Sequence, residues 1–260
     1  MVNKDIRYVH HESVHNFTAA EEIVPYIISL LEPNSVVDVG CGIGTWLKVF
    51  SDNGIIDFLG IDGNYVDRNR LKIESTSFIE FDLETFYSSQ RKFDLAISLE
   101  VAEHLKEESA EIFIKTLTNL SDIVVFSAAI PNQGGQNHLN EKEPFYWISK
   151  FEKEGFECLD ILRPIFWENK KVDCWYRQNI FLFTKRETLI DKLNSFNTFS
   201  NHHLVHPELL RIKEGMLKSQ KNNHDVILRG KKEIRFYFQV LFKALKSRIL
   251  IKSFFSKELI

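Results

Sequence analysis

Cysteine is scarce in this 260-residue chain, which holds only Cys41, Cys158 and Cys174. The number is odd and no C-x-x-C pair occurs, so the sequence offers neither a disulfide framework nor a thiolate zinc site. We therefore expect a protein that works in a reducing compartment.

Long apolar runs are also lacking. No stretch approaches the roughly 20 consecutive apolar residues that a transmembrane helix needs. The N-terminal segment MVNKDIRYVHHESVHNF contains no apolar region of the kind that a secretory signal requires. We expect a cytoplasmic location.

An excess of charge of one sign is missing from the whole chain but not from its end. The formal net charge is -3, which gives nucleic acid no general attraction. Residues 187–260, however, hold 14 Lys and Arg against 7 Asp and Glu, so this segment carries +7 and the remainder -10. The asymmetry predicts an appended basic segment with contacts of its own.

Short apolar runs alternate with segments of helical length between residues 35 and 185. The alternation predicts an α/β fold, with a doubly wound, seven-stranded, mostly parallel sheet and helices on both faces. The predicted strands are 35–39, 57–61, 77–81, 93–99, 122–128, 156–162 and 178–184. The predicted helices are 20–31, 43–53, 105–120 and 143–154. Residues 163–177 show no helical pattern, so we expect an antiparallel excursion that closes the sheet edge.

Strand signals stop near the end of this region. We therefore divide the chain into an α/β domain, residues 1–186, and a basic helical extension, residues 187–260. Helices of the extension are predicted at 187–195, 207–221 and 230–252.

Glycines follow the first predicted strand in the segment VVDVGCGIGTWL, at Gly40, Gly42 and Gly44. They lie at the carboxyl end of the sheet, where open α/β folds bind ligands. Asp62 ends the second strand, where a carboxylate can accept both hydroxyls of a ribose, and Asp82 ends the third, where it can accept the amine of an adenine. Three such signals in register predict an adenosine-containing cofactor.

In these residues the chain resembles the class I S-adenosylmethionine-dependent methyltransferases, over residues 13–185. The resemblance implies a Rossmann-like methyltransferase domain that binds S-adenosylmethionine at the ends of its first strands. The residues that it implies for binding this cofactor are Asp38, Gly40, Gly42, Gly44, Asp62, Asp82 and the backbone of Leu83.

Two other interpretations of the same residues stay open. The glycines can serve strand–helix packing alone, while Asp62 and Asp82 cap helices. A nicotinamide dinucleotide is the alternative ligand, although it requires a G-x-G-x-x-G loop and this loop reads G-x-G-x-G.

Acidic and imidazole side chains follow the fourth and fifth predicted strands. The segment SLEVAEHL places Glu100, Glu103 and His104 at helical spacing, and His138 lies in the glycine-containing loop after the fifth strand. Glu103, His104 and His138 are the candidate catalytic residues, and Glu100 is a candidate contact of the cofactor. The simpler interpretation is a capped helix start with one histidine acting as a base.

The same four side chains, Glu100, Glu103, His104 and His138, can instead ligate one divalent cation. Mixed oxygen and nitrogen ligands suit Mg²⁺, Mn²⁺ or Fe²⁺. The segment E-V-A-E-H with a distant histidine resembles metal-dependent small-RNA 2′-O-methyltransferases, and its first three residues also resemble quinone-pathway O-methyltransferases. A cation that receives the acceptor oxygen would lower the pKa of the acceptor hydroxyl and replace a dedicated base.

The stretch SAAIPNQGGQNHLNEKEPFYW, followed by RPIFW and VDCWYRQN, resembles bacterial methyltransferases of surface-polysaccharide pathways. The resemblance implies O-methylation of a sugar or another small precursor of a surface glycan, or of its phosphate or phosphoramidate oxygen. Phe145, Tyr146 and Trp147 can line an acceptor pocket, but aromatic residues at this spacing are more often core. RNA 2′-O-methylation and a non-catalytic binding protein stay open.

The last predicted helix is basic and amphipathic. Phe238, Leu241, Phe242, Leu245 and Ile249 recur at helical intervals with lysines and arginines among them. Its predicted uses are packing on the α/β domain or on a second subunit of a homodimer, and peripheral contact with an anionic membrane. Nucleic acid is disfavoured by the acidic balance of the rest of the chain.

Overall fold

Seven strands form a single sheet in the computed structural model, which describes residues 17–185 and 202–255. They are β1 Ser35–Val39, β2 Asp57–Asp62, β3 Phe78–Glu80, β4 Leu95–Leu99, β5 Ile123–Ser127, β6 Phe156–Leu159 and β7 Phe181–Lys185. The spatial order is β3-β2-β1-β4-β5-β7-β6. β1 to β5 pair in parallel, whereas β7 is antiparallel to both of its neighbours. The predicted mostly parallel, seven-stranded sheet is therefore confirmed.

Eight α-helices occur within the described ranges. They are α1 Thr18–Leu31, α2 Thr45–Asp52, α3 Ala110–Leu120, α4 Pro144–Lys153, α5 Leu162–Phe166, α6 Cys174–Asn179, α7 Pro207–Leu228 and α8 Ile234–Phe255. α1 buries Ala20, Ile23, Val24 and Ile27, which recur every three or four residues. It ends because Glu32, which precedes Pro33, adopts a left-handed conformation with φ 50°.

The sheet is covered on both faces, as the apolar runs predict. Neighbouring residues of a strand belong to opposite hydrophobic clusters, with Val36 packing on the side of α1 and α2 and Val37 on the side of α3 and α4. All five residues of β1 are buried. A parallel strand buried on both faces needs apolar side chains in both alternations, which explains the continuous apolar runs.

The prediction that residues 163–177 hold no helix is wrong, since parts of α5 and α6 lie in this segment. Both helices are shorter than the length at which a helix is stable by its own propensity, so tertiary contacts must form them. Buried Arg163 supplies one such contact, an ion pair with Asp160 one helical turn away. Its guanidinium also donates to the carbonyl oxygens of Gln178, at 3.2 Å, and His202, at 3.1 Å.

The chain divides into two compact units, residues 1–209 and 210–260. The predicted domain boundary at residue 186 and the predicted helix 187–195 lie outside the described residues. The predicted helices 207–221 and 230–252 correspond to α7 and α8. None of the helices described has the length and hydropathy that crossing a bilayer requires.

Candidate functional site

The glycine loop between β1 and α2 needs glycine for two physical reasons. Gly40, Gly42 and Gly44 have φ values of 89°, 54° and 82°, which residues with a Cβ rarely adopt. A Cβ at Gly40 would lie 2.4 Å from Val101, and one at Gly44 would lie 2.8 Å from Ile73. The loop is thus a tight turn whose backbone is closely approached by neighbouring segments.

Asp62, at the end of β2, fastens this loop. Its buried carboxylate accepts hydrogen bonds from the backbone N–H of Gly42 and of Gly63, both at 2.6 Å, and from the Tyr65 hydroxyl. Burial raises the pKa of Asp62, and the three hydrogen bonds oppose the increase. A carboxylate has about four acceptor positions, so Asp62 can also accept a hydrogen bond from a ribose hydroxyl. Tyr65 is a neighbour of Asp62 that the sequence did not single out.

Asp38, in β1, is a second buried carboxyl next to the loop. Its Oδ2 has no hydrogen-bond partner among the residues described. Burial, and then the nearby charge of Asp62, hold the pKa of Asp38 well above its usual range. A buried acceptor without a partner is costly, so this position fits a ligand that brings a donor, such as an ammonium group.

Asp82 and Leu83 follow β3 and so lie two strands away from the glycine loop. Asp82 is exposed, and its Oδ1 accepts a hydrogen bond from the backbone N–H of Glu84 at 3.0 Å. Leu83 is buried. The end of β3 is tied to β2 by a 2.8 Å bond from Phe81 N to Asp62 O. The adenine role of Asp82 and Leu83 stays a prediction.

Glu100, directly after β4, has a left-handed backbone with φ 55°. A strained conformation of this kind persists only where the surroundings enforce it. Here the N–H of Glu100 donates to Ser127, and its carboxylate accepts from Gln133 Nε2 at 2.7 Å and from Asn179 Nδ2 at 3.0 Å. Burial raises the pKa of Glu100 and these hydrogen bonds oppose the increase.

Glu103, His104 and His138 meet at one place, with their ligand atoms all within 4.8 Å of one another. The two imidazole rings pack edge to face with centroids 4.8 Å apart. Glu103 is fully buried, and neither of its carboxylate oxygens has a hydrogen-bond partner in the described part of the chain. Burial, and then the charge of Glu100, raise the pKa of Glu103 well above its usual range.

Three of the four predicted metal ligands form this group. A ligand role stays a prediction for the fourth residue, Glu100. Its two oxygens accept the side-chain amide hydrogens of Gln133 and Asn179. One carboxylate and two imidazoles remain, and this donor set suits Mn²⁺ or Fe²⁺ and can hold Mg²⁺ with added waters. The buried, unpartnered oxygens of Glu103 are what a cation would satisfy.

The loop after β5 brings His138 to Glu103. The carbonyl oxygen of Glu103 accepts hydrogen bonds from the N–H groups of Leu139, at 2.8 Å, and Asn140, at 2.9 Å. Glu141 bonds to Nδ1 of His138 at 2.8 Å and also accepts the N–H of Gly134 at 2.6 Å. The glycines beside His138 make room for the ring, since a Cβ at Gly135 would lie 2.1 Å from its Nε2.

α6 forms a further part of the site that the sequence analysis missed. Besides Asn179, it supplies Tyr176, which is half-buried and packs edge to face on Trp46 with centroids 5.3 Å apart. Trp46 follows the glycine loop directly. Burial, and then the charge of Glu100, raise the pKa of Tyr176. The last helix before β7 thus connects the glycine loop with Glu100.

The three aromatic residues that were considered as a pocket lining, Phe145, Tyr146 and Trp147, differ in their burial. Trp147 is buried and packs on Phe126, with ring centroids 5.5 Å apart, so it belongs to the core. Phe145 is exposed. Tyr146 is half-buried, with the ammonium of Lys150 4.5 Å from its ring centroid. The core interpretation therefore holds for Trp147.

Comparison with known proteins gives one family match and a set of similar folds. The family described as "Methyltransferase domain" matches residues 8–142. DesVI of Streptomyces venezuelae is 14% identical, with a TM-score of 0.50 over 68% of this chain and 99% of that one. The methyltransferase domain of bacterial CtHen1 is 18% identical, with a TM-score of 0.46 over 64% and 98%. The plantazolicin methyltransferase BpumL, in complex with SAH, is 19% identical, with a TM-score of 0.44 over 65% and 84%. No curated protein matches the sequence.

Proposed function

This chain belongs to the methyltransferase domain family, and from that premise we propose that it transfers a methyl group from S-adenosylmethionine to an oxygen of a sugar or other small surface-glycan precursor. The observation that carries the proposal is the group Glu103, His104 and His138 at the ends of β4 and β5. A hydroxyl is a weak nucleophile and needs help to lose its proton, whereas a neutral amine does not. The glycan class rests on the sequence resemblance of the stretch 127–147.

The cofactor would be held by the glycine loop and by carboxyl groups at the ends of β1, β2 and β3. S-adenosylmethionine supplies an activated methyl carbon, so the protein chiefly has to align the acceptor and exclude water. Asp38 fits the methionine end, because its buried Oδ2 lacks a donor among the residues described. Asp62 fits the ribose, and Asp82 with the backbone of Leu83 fits the adenine.

Glu103, His104 and His138 would hold a divalent cation, Mg²⁺, Mn²⁺ or Fe²⁺. A bound cation lowers the pKa of an acceptor hydroxyl and fixes its direction. The fit rests on Glu103, whose buried carboxylate has two oxygens without partners in the described residues. Glu141 would orient His138, because its carboxylate bonds to Nδ1 of the ring, as carboxylates commonly do beside imidazoles that ligate metals.

Proton removal by a histidine alone is the other mechanism that this geometry supports. Glu141, as an acceptor at Nδ1 of His138, favours the tautomer that carries its proton on Nδ1 and leaves a lone pair on Nε2. His138 would then take the acceptor proton. In this case Glu103 would stabilise the imidazolium ion that forms at His138.

Transfer to the 2′-hydroxyl of an RNA end is a second candidate function, which the E-V-A-E-H segment favours. Labelled methyl transfer to nucleotide sugars, glycans and RNA ends compares the two directly. We expect incorporation into one of the sugar-containing small acceptors. Incorporation into RNA ends alone would overturn the glycan proposal while leaving the methyltransferase chemistry intact.

The cation is tested by the same assay after chelation, with Mg²⁺, Mn²⁺ or Fe²⁺ added back. We expect turnover to disappear with the chelator and to return with one of the metals. Glu103→Gln should lose at least about tenfold in turnover at any metal concentration, whereas Glu107→Gln, a control at an exposed glutamate of the next turn, should not. Full turnover in excess chelator would leave a histidine base as the mechanism.

A further inference from the structure

α8 carries a continuous row of exposed apolar side chains. Ile234, Phe238, Leu241, Phe242 and Leu245, which we call the α8 strip, recur at intervals of one, three or four residues and so share one face of the helix. Their exposed fractions lie between 51% and 74%. Scattered exposed apolar residues are ordinary, but a contiguous row of large ones marks a binding surface.

The charges of α8 all have one sign. The helix holds Arg235, Lys243, Lys246, Arg248 and Lys252 and no acidic residue. Arg235, Lys243 and Lys246 lie within about a quarter of the helix circumference, beside the α8 strip. A helix with large apolar side chains on one face and only basic charges next to them has the composition of an interfacial membrane helix.

The short connection between α7 and α8 is fixed by hydrogen bonds. The Tyr237 hydroxyl donates to the carbonyl oxygen of Ile227 at 2.8 Å and accepts the N–H of Lys232 at 3.2 Å. Tyr237 and the adjacent Phe236 also pack edge to face, with ring centroids 5.4 Å apart. The start of α8 is therefore anchored to the end of α7 through Tyr237, which does not belong to the α8 strip.

The positive charge of α8 favours one predicted partner of the α8 strip, an anionic membrane, over another, a second copy of the chain. A second copy of α8 packed on this face would bring two sets of five positive charges together, which opposes self-association. An anionic lipid surface attracts each of these charges and accepts the apolar side chains at the same time. The helix does not have the hydropathy to cross the bilayer, so it would lie parallel to the surface.

We propose that α8 binds the surface of anionic membranes, with the α8 strip at the boundary between headgroups and acyl chains and the basic side chains at the lipid phosphates. The full-length protein, mixed with vesicles of phosphatidylcholine alone or of phosphatidylcholine with phosphatidylglycerol, is separated by flotation. We expect it to float with the anionic vesicles, to stay behind with the neutral ones, and to be released by high salt.

Two pairs of variants separate the apolar from the electrostatic contribution. Phe238→Glu with Phe242→Glu should abolish flotation. Lys243→Glu with Lys246→Glu should weaken the partition coefficient by roughly 30-fold or more. The matched control is Lys218→Glu with Lys221→Glu, which makes the same charge change at the same spacing on α7 and should retain most of the binding. Circular dichroism of each variant verifies that the helices persist.

Three results would overturn the proposal. The first is wild-type protein that does not float with anionic vesicles, or floats equally with neutral ones. The second is unchanged flotation of the Phe238 and Phe242 variant. The third, from light scattering without vesicles, is a dimer that this variant converts to a monomer, which would assign the strip to a second copy of the chain.

Discussion

At the scale of single residues, two buried carboxyl groups lie next to the glycine loop, and one of them, Asp38, has an oxygen without a partner among the described residues. Burial raises the pKa of both Asp38 and Asp62, and the charge of Asp62 raises the pKa of Asp38 further. Perturbed pKa values of this kind cluster at functional sites. The position of the two carboxyl groups next to the glycine loop is consistent with a cofactor that carries donors.

Asp38→Asn should make the cofactor-free protein more stable at neutral pH, by about 1–3 kcal/mol, because it removes an ionisable group whose charged form is penalised by burial and which has an unpartnered oxygen among the described residues. The pKa of Asp38 is raised by folding, so the folded state holds its proton more tightly than the unfolded state. As the pH falls through the folded pKa, wild-type Asp38 becomes neutral and the advantage of the variant shrinks.

Urea unfolding of both proteins at neutral and at mildly acidic pH measures this difference. A variant that is less stable at every pH would show that Asp38 has a favourable partner in the folded protein.

Asp62→Asn should weaken the binding of S-adenosylhomocysteine by about 1.5–3 kcal/mol, because an amide makes weaker hydrogen bonds to ribose hydroxyls than a carboxylate does. Titration calorimetry measures the affinity. Asp67→Asn is the control, since Asp67 is exposed and only caps the short turn at 68–70. Equal affinities of the wild type and of a folded Asp62→Asn protein would reject the ribose role.

The sequence identified Glu103, His104 and His138 but not the residues that position them. Glu103 and His104 are consecutive residues in a short segment after a strand, so their proximity can be predicted from the sequence. Glu141, Gln133 and Asn179 act through contacts formed by the folded loop and by α6, and Asn179 lies 79 positions from Glu100. The pair H-x-x-E at His138 and Glu141 was the one signal that spacing could have offered.

At the scale of elements, α6 contributes contacts on two sides. Tyr176 and Asn179 reach the site, while Arg177 forms an ion pair with Glu208 and Gln178 accepts the N–H of His206 at 2.7 Å. Adjacent residues of one short helix therefore connect Glu100 with residues 206–208. A displacement of residues 206–208 would therefore also shift α6 and its contact with Glu100.

Asn179→Ala should lower both stability and activity. It removes one of the two amide donors to the Glu100 carboxylate and the donor to the side-chain oxygen of Gln133, which costs about 1–3 kcal/mol in the free energy of unfolding. Thermal unfolding and methyl transfer are measured together, with Asn119→Ala at an exposed position of α3 as control. If Asn179→Ala matched the control in both measurements, Glu100 would not depend on α6.

Strands were predictable because a sheet covered on both faces favours apolar residues at most positions of its central strands, on both alternations. The bounds of β1 agree with the prediction, β2 is one residue longer at its end, and β5 is one residue shorter at each end. α5 and α6 were not predictable, since a helix of five or six residues is too short to show a period. α3 begins five residues later than predicted, because residues 102–104 and 107–109 form 3-10 turns around the site instead.

At the scale of the whole molecule, the predicted site residues and the basic helix α8 lie in different units of the chain. All the residues assigned to the cofactor and to the group of Glu103, His104 and His138 lie in the unit 1–209. The α8 strip lies in the unit 210–260. The basic end of the chain is therefore separate in sequence from the predicted site residues.

Removal of residues 230–260 should leave the affinity for S-adenosylhomocysteine unchanged and should abolish flotation with anionic vesicles. The reason is that no residue of α8 belongs to the predicted cofactor site. Calorimetry and flotation of the shortened protein test both statements. Loss of cofactor binding in a folded, shortened protein would assign the tail to the catalytic unit.

The position of β7 determines when the sheet can be completed during synthesis. β6 is made first, but its sheet neighbour is β7, which inserts between β5 and β6. A growing chain on the ribosome therefore carries β6 without a partner until β7 has left the exit tunnel. The five parallel strands can assemble earlier. α6 directly precedes β7 in the sequence, so its contacts with Glu100 can form only when β7 joins the sheet. The glycine loop can thus form on a nascent chain before the hydrogen bond from Asn179 to Glu100 exists.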